Sequence, residues 1–248
     1  MATAPVFVHD GLTGRGPGPL TLAGPEGRHA VSVRRLRVGE AVVLTDGEGT
    51  GASGTVAAVD GRDRLTIDVT EVSREESPRP WLTVVQALAK GDRGELAVAA
   101  MTETGVDAIV PWSAARCVTQ WHGERGARSL EKWRATAREA GKQARRVWFP
   151  RVPGPMTTRQ VAEGPVAEAT FVAVLHESAD QPLATAPLPE QGDIVLIVGP
   201  EGGVTPEELD AFAAAGARAY RLGPTVLRTS TAGTAAAALL MGRTGRWA

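Results

Sequence analysis

The chemistry-bearing residues of this chain concentrate in its last quarter, and most of what they offer is backbone. The apolar run Ile194–Val198 leads into Gly199-Pro200-Glu201-Gly202-Gly203, and a second apolar segment leads into Leu222-Gly223-Pro224-Thr225-Val226-Leu227-Arg228-Thr229. Two glycine-rich exits in tandem exceed what simple turns require. They let another backbone or a ligand approach closely, and they suit a flat, largely neutral molecule with a few hydrogen-bonding edges. Around them, Leu222 and Leu227 are apolar enough to sandwich a planar ring.

Other chemistries find less support. Gly49-Thr-Gly-Ala-Ser-Gly54 fits Gly-x-Gly-x-x-Gly, but the next five residues, Thr55–Val59, read as a returning strand. A dinucleotide fingerprint must open a helix, so the run is predicted to be a hairpin loop. No Gly-x-x-x-x-Gly-Lys-Ser/Thr loop or Gly-x-Ser-x-Gly elbow occurs. His9, His29, His122 and His176 are scattered and Cys117 is the one cysteine, so no metal site is expected.

The elements that must hold the glycine loops are legible in outline. Ile194–Val198 is continuously apolar and β-branched, as in a parallel strand buried on both faces. Thr205-Pro206-Glu207-Glu208 spells a capping box with proline at the first helical position, and Gly216 is placed to end the helix. An alanine-rich helix is predicted over Ala232–Met241, opened by Thr229, Ser230 or Thr231 as N-cap. Upstream, strands are predicted at Leu82–Leu88, Ala108–Pro111, Phe171–Leu175 and Arg218–Leu222, with helices at Arg93–Thr104 and Ser129–Val147. That alternation predicts an α/β domain with a mostly parallel sheet covered on both faces. The N-terminal part differs. Short strands at Phe7–Val8, Leu20–Leu22, Ala41–Thr45, Thr55–Val59 and Leu65–Val69 read as a small β-barrel, with one helical turn around His29–Leu36. The polar, proline-punctuated run Ser73–Pro80 is the predicted linker, giving domains over 1–74 and 79–248.

Composition sets the setting. The 248 residues carry a net charge of −1, yet residues 77–165 alone hold 14 basic against 8 acidic side chains. Within Arg116–Arg159 the balance is 11 to 3, the local clustering that phosphate binding needs. Arg134, Arg138, Lys142, Arg145 and Arg146 sit on the predicted helix mostly away from its apolar stripe, where a merely solvated face is the alternative. Trp112, Trp121, Trp133 and Trp148 fall in or beside this stretch, as core or as stacking platforms for bases. A single cysteine excludes an internal disulfide. Met1–Leu12 lacks the pattern of a signal peptide and no apolar run reaches spanning length, so a cytoplasmic chain without membrane contact is expected.

The pairing of Gly-Pro-Glu-Gly-Gly with Leu-Gly-Pro-x-x-Leu-Arg-Thr-x-Thr-Ala resembles the RsmE family of the SPOUT superfamily. The likeness extends upstream through His29–Gly39, Ala87–Arg93, Thr102–Asp107, Glu139–Arg146 and Leu175–Glu177, and so covers nearly the whole chain. The resemblance implies a trefoil-knotted SPOUT domain behind a PUA-like barrel. It implies S-adenosylmethionine as cofactor, and methylation of N3 of a uridine in the decoding region of 16S rRNA on the small ribosomal subunit. SPOUT enzymes generally work as dimers, and Ala232–Leu240 offers a small-residue helix surface, so a homodimer is expected.

Carried onto this sequence, the family's cofactor contacts fall on Leu175, His176, Gly199, Glu201, Gly202, Leu222, Gly223 and Leu227. RNA contacts are expected from Arg34 and Arg35 in the His29–Arg37 segment and from Arg134, Arg138, Lys142, Arg145 and Arg146. Uracil N3 carries a proton, so its methylation needs deprotonation or stabilisation of the enolate oxygen. Arg228 is the candidate for that oxygen, and Arg146 for RNA positioning or the same role. The base is unassigned, with Glu201 and His176 open. Two positions depart from the family pattern, which usually has glutamate where this chain has Ser230 and Lys142. The first departure keeps a second reading alive, an RNA-binding assembly factor without catalysis. A third is a SPOUT enzyme acting elsewhere on RNA, at a ribose 2′-hydroxyl.

Overall fold

A computed structural model describes residues 4–189 and 191–248. The chain forms two compact units, one of Met1–Ser77 with Gly141–Phe149, the other of Pro78–Ala140 with Pro150–Ala248.

The first unit is a five-stranded mixed sheet in the order β1-β3-β4-β5-β2. Its strands are β1 (Val6–Val8), β2 (Gly18–Leu22), β3 (Ala41–Thr45), β4 (Thr50–Asp60) and β5 (Arg64–Arg74). Alternating inward residues such as Leu20, Leu22, Val42, Leu44, Leu65 and Ile67 make its core. Between β2 and β3 lie α1 (Gly24–Arg28) and a π-helical turn, His29–Val33, where a helical turn was expected. The glycine run 49–54 is not the predicted hairpin loop, because Thr50 onward already belongs to β4. Its glycines serve close packing: a Cβ on Gly54 would fall 2.4 Å from the Asp68 carbonyl oxygen, beside a shift in the β4–β5 register.

Residues 141–149 join this unit because Trp148 and Phe149 fill the space above two glycines. Cβ atoms on Gly49 and Gly47 would lie 2.4 and 2.7 Å from those rings. Backbone bonds from Gly49 N–H to the Val147 carbonyl and from Phe149 N–H to the Gly47 carbonyl, each 2.9 Å, fix the strip in place.

The second unit is a six-stranded, wholly parallel sheet in the order β11-β9-β10-β6-β7-β8. Its strands are β6 (Leu82–Ala87), β7 (Ala108–Ser113), β8 (Met156–Thr157), β9 (Phe171–Leu175), β10 (Ile194–Val198) and β11 (Arg218–Tyr220). All five residues of β10 are buried, as its unbroken apolar run predicts. Helices α2 (Arg93–Thr104) and α6 (Thr229–Arg243) pack on each other, and α6 lies against β6 and β10. Their close approach depends on Gly233, where a Cβ would sit 2.8 Å from Met101 Sδ. Asp107 anchors the C-terminus: both its oxygens hold the Arg246 guanidinium, and one also accepts the Leu82 N–H at 2.9 Å.

Helix α5 (Pro206–Ala214) opens with the predicted capping box, Thr205 and Glu208 each bonding the other's backbone N–H. Two helices depart from expectation. Helix α3 runs over Gly123–Gln143, earlier at both ends than predicted, because Arg145 takes a left-handed φ of 57° and closes it. Helix α6 begins at Thr229 after Arg228, and no side chain caps it. The Thr229 hydroxyl is committed elsewhere. Trp112 and Trp133 are buried core residues, not stacking platforms, and Trp133 meets Trp121 edge-on at 5.0 Å.

Candidate active site

Strands β9, β10 and β11 end in register, with Val198 beside Leu175 and Leu175 beside Tyr220. Ligands of open α/β sheets bind outside the carboxyl ends of such strands. There the three exits, 175–177, 199–204 and 221–229, enclose an open pocket of about 620 Å³ within the second unit. All eight residues expected at the cofactor, Leu175, His176, Gly199, Glu201, Gly202, Leu222, Gly223 and Leu227, line it, together with Arg228.

The glycines do different work. Gly223 lines the pocket, and a Cβ there would meet no protein atom within 4 Å. At Gly202 the space is already taken, since a Cβ would fall 2.9 Å from Arg116 Cβ. At Gly199 it would fall 2.7 Å from Val204 Cγ2. Only Gly223, of these three, leaves its space to a ligand.

A buried relay ties the loops together. The Gln86 amide donates to Thr229 Oγ1 at 3.1 Å, and that hydroxyl donates to the Gly199 carbonyl at 2.7 Å. One threonine therefore links the end of β6, the first glycine loop and the start of α6. Gln86, wholly buried, also donates to the Ala87 and Thr229 carbonyls.

The pocket's ionisable groups differ in availability. Glu201 accepts the Lys90 N–H at 3.4 Å and pairs with Arg93 at 3.5 Å. His176 Nδ1 accepts the Ser178 N–H at 3.3 Å and lies 2.9 Å from the Ser178 hydroxyl. Neither group is arranged as a free base. Of the four pocket arginines, Arg93 pairs with Glu201, Arg116 donates to the Gly202 carbonyl and Arg221 to the Ala179 carbonyl. Among the described residues the Arg228 guanidinium has no such partner, and it is exposed. Cys117 is buried and does not line the pocket, and burial pushes its thiol up from the ordinary range.

The remaining expected residues lie outside the pocket. Arg34 and Arg35 are exposed in the first unit, where Arg35 has a left-handed φ of 57°. Arg134 and Arg138 are exposed on α3, with Arg134 held by Glu131 at 2.7 Å and by the Val152 carbonyl at 3.0 Å. Arg145 donates to the Ala4 carbonyl at 2.9 Å, and Arg146 belongs to the first unit. Lys142 requires a correction. Its side chain is 3% exposed and its Nζ pairs with Glu26 at 3.0 Å, so its charge is spent internally rather than offered to RNA. Ser230 is buried in the first turn of α6 and does not line the pocket.

Sequence reasoning missed Gln86, Arg116 and the inward role of Thr229. Gln86 had a signal, as the lone polar side chain that the apolar β6 buries. Arg116 had none, because only the fold brings it to Gly202. Among the described residues no cluster of three or more His, Cys, Asp or Glu could hold a metal, and no helix is long and apolar enough to cross a membrane.

Residues 75–241 match the family described as RNA methyltransferase domain, and residues 22–70 the family described as RNA methyltransferase PUA domain. Ribosomal RNA small subunit methyltransferase E of Mycobacterium tuberculosis is 46% identical over 228 residues, covering 90% of this chain and 86% of the relative. Its counterpart in Bacillus subtilis is 28% identical, covering 86% and 85%. Among solved structures, ribosomal RNA small subunit methyltransferase E from Neisseria gonorrhoeae bound to S-adenosyl methionine superposes with a TM-score of 0.85. It is 27% identical, with 97% of this chain and 98% of that chain covered. The chain belongs to the RsmE family of RNA methyltransferases, with a PUA unit and a SPOUT-like methyltransferase unit.

Proposed function

We propose that this protein transfers a methyl group from S-adenosylmethionine to N3 of a uridine in the decoding region of 16S rRNA, on assembled small subunits. The observation that carries the reading is the convergence of both glycine loops and Leu175–Glu177 on one backbone-lined pocket, in a chain whose relatives are named for small-subunit rRNA methylation and have been solved with the cofactor bound. The pocket fits that cofactor: backbone polar groups can read the adenine and ribose edges, Leu222 and Leu227 offer apolar faces, and Gly223 leaves room.

When bound, the cofactor supplies an electrophilic methyl on a sulfonium, whose positive charge disappears on transfer. The protein's own contribution is then orientation and charge placement. The exposed guanidinium of Arg228, without a protein partner among the described residues, is the group assigned to the uracil oxygen that gains charge as N3 loses its proton. Gln86 and Thr229 hold the Gly199 carbonyl in place for cofactor recognition. The first unit, which takes in residues 141–149 as well as the N-terminal part predicted over 1–74, is assigned to RNA docking through Arg34, Arg35, Arg145 and Arg146, and the second unit to methyl transfer, with Arg134 and Arg138 as further RNA contacts. The working form is assigned as a cytoplasmic homodimer.

Ser230 is buried and does not itself line the pocket, and the pocket keeps Arg228 and both glycine loops, which favours the catalytic reading over the non-catalytic one. The test is nucleoside mass spectrometry of 16S rRNA from cells with and without this gene. Loss of one N3-methyluridine, restored by the wild-type copy but not by Arg228→Ala, is the expected result. An unchanged methylation pattern overturns the proposal.

A further inference from the structure

Two guanidinium groups at the pocket come from outside its three loops, Arg93, which is paired with Glu201, and Arg116. Arg116 lies just beyond β7, lines the pocket, and donates from Nη1 to the Gly202 carbonyl at 3.1 Å. Its stem occupies the space that the missing side chain of Gly202 leaves. The backbone beside it is anchored by Glu208, which is 5% exposed. One carboxylate oxygen of Glu208 accepts the Ala115 N–H at 2.8 Å and the Thr158 hydroxyl at 3.0 Å, while the other accepts the Thr205 N–H at 3.0 Å. The arginine is therefore set on a fixed base, with its head group exposed.

A guanidinium has five N–H donors in a planar fork, and one is spent here on a neutral carbonyl. No carboxylate lies within ion-pair distance of Arg116 among the described residues. Arg93, Arg221 and Arg228 also line the pocket, against Glu177 and the already paired Glu201, so it carries net positive charge. A base entering this pocket brings its flanking phosphodiesters to that rim, and a planar fork matches their oxygens in pairs.

We propose that Arg116 is a substrate-binding residue that grips a backbone phosphodiester of the RNA next to the nucleotide being methylated. This rests on the reading of the pocket as an RNA methyl-transfer site. The experiment uses the full chain with unmodified small subunits and radiolabelled S-adenosylmethionine, comparing wild type, Arg116→Ala and Arg116→Lys. For Arg116→Ala, the KM for small subunits should rise about tenfold to hundredfold, the loss of a charge-assisted contact. The slope of log affinity against log salt should fall by roughly 0.7–0.9. S-adenosylmethionine affinity by calorimetry and the melting temperature should stay at wild-type values. Arg116→Lys should regain the salt slope but only part of the KM, since a point charge replaces the fork.

Unchanged KM and salt slope in Arg116→Ala overturn the proposal. So does a loss confined to cofactor affinity, which would make Arg116 a cofactor contact, or a loss confined to melting temperature, which would make its bond to Gly202 purely structural. Wild-type protein that labels no RNA overturns the underlying reading instead, and is distinguishable because it appears before any variant is compared.

Discussion

Gly223→Val separates ligand space from protein space at the pocket. A Cβ at this position meets nothing within 4 Å, and Gly223 does not adopt the positive φ that would penalise a side chain. The substitution should therefore leave folding stability within about 0.5 kcal/mol, as for exposed sites without special features. Any shift should be towards greater stability, since a side chain restricts the unfolded chain. The added methyl groups compete with a bound ligand for the same volume. Forcing extra methylenes into a filled site costs about 1–3 kcal/mol, which is a roughly 5- to 150-fold weaker Kd at 1.4 kcal/mol per decade. Calorimetry with S-adenosylmethionine reads the affinity, and a thermal melt reads the fold. Gly202→Val is a poorer test because its Cβ would fall 2.9 Å from Arg116 Cβ, so the protein must move before any ligand is considered. A folded Gly223→Val protein with wild-type affinity would refute the placement of the cofactor against this loop.

The remaining predictions concern buried contacts. Thr229→Val removes the hydroxyl that joins Gln86 to the Gly199 carbonyl. It should cost about 1–3 kcal/mol in denaturant unfolding, with Thr229→Ser close to wild type. Asp107→Ala leaves Arg246, whose side chain is 13% exposed, without its carboxylate. It should lower stability by about 3–5 kcal/mol, read as a fall in the urea midpoint. Burial alone would raise the Asp46 carboxyl, but hydrogen bonds from Thr50, Glu48 and Thr13 outweigh it and hold the group below its ordinary value of 3.8. A depressed carboxyl contributes stability above the unfolded value and loses it as pH falls through the folded one. The advantage of wild type over Asp46→Asn should thus be full well above pH 3.8 and shrink as pH falls below it, measured by urea unfolding at each pH.

Local signals made much of the fold legible. The apolar β10, the capping box at Thr205 and Glu208, and α2 over Arg93–Thr104 are all dictated by neighbouring residues. The two glycine loops were legible as a site because their composition is excessive for turns. What escaped depends on contacts far apart in sequence. Thr229 resembles an N-cap to any local rule, but its hydroxyl instead accepts from the Gln86 amide and donates to the Gly199 carbonyl, thirty residues away. Lys142 looked like part of a basic surface until Glu26, more than a hundred residues earlier, was placed against it. Helix α3 has no local stop, since Arg145 takes a backbone conformation usually left to glycine. The return of residues 141–149 to the first unit rests on Trp148 and Phe149 covering glycines near position 48. At Gly202 the sequence suggested ligand space, whereas the structure fills it with Arg116.

The central claim is tested most directly by incubating the purified protein with unmodified small subunits and radiolabelled S-adenosylmethionine, then mapping the label to a nucleotide and an atom by digestion and mass spectrometry. The account predicts one label per particle on N3 of a single 16S rRNA uridine, absent when Arg228→Ala replaces the wild type. Label on a ribose hydroxyl, or no label while calorimetry shows the cofactor bound, would contradict it.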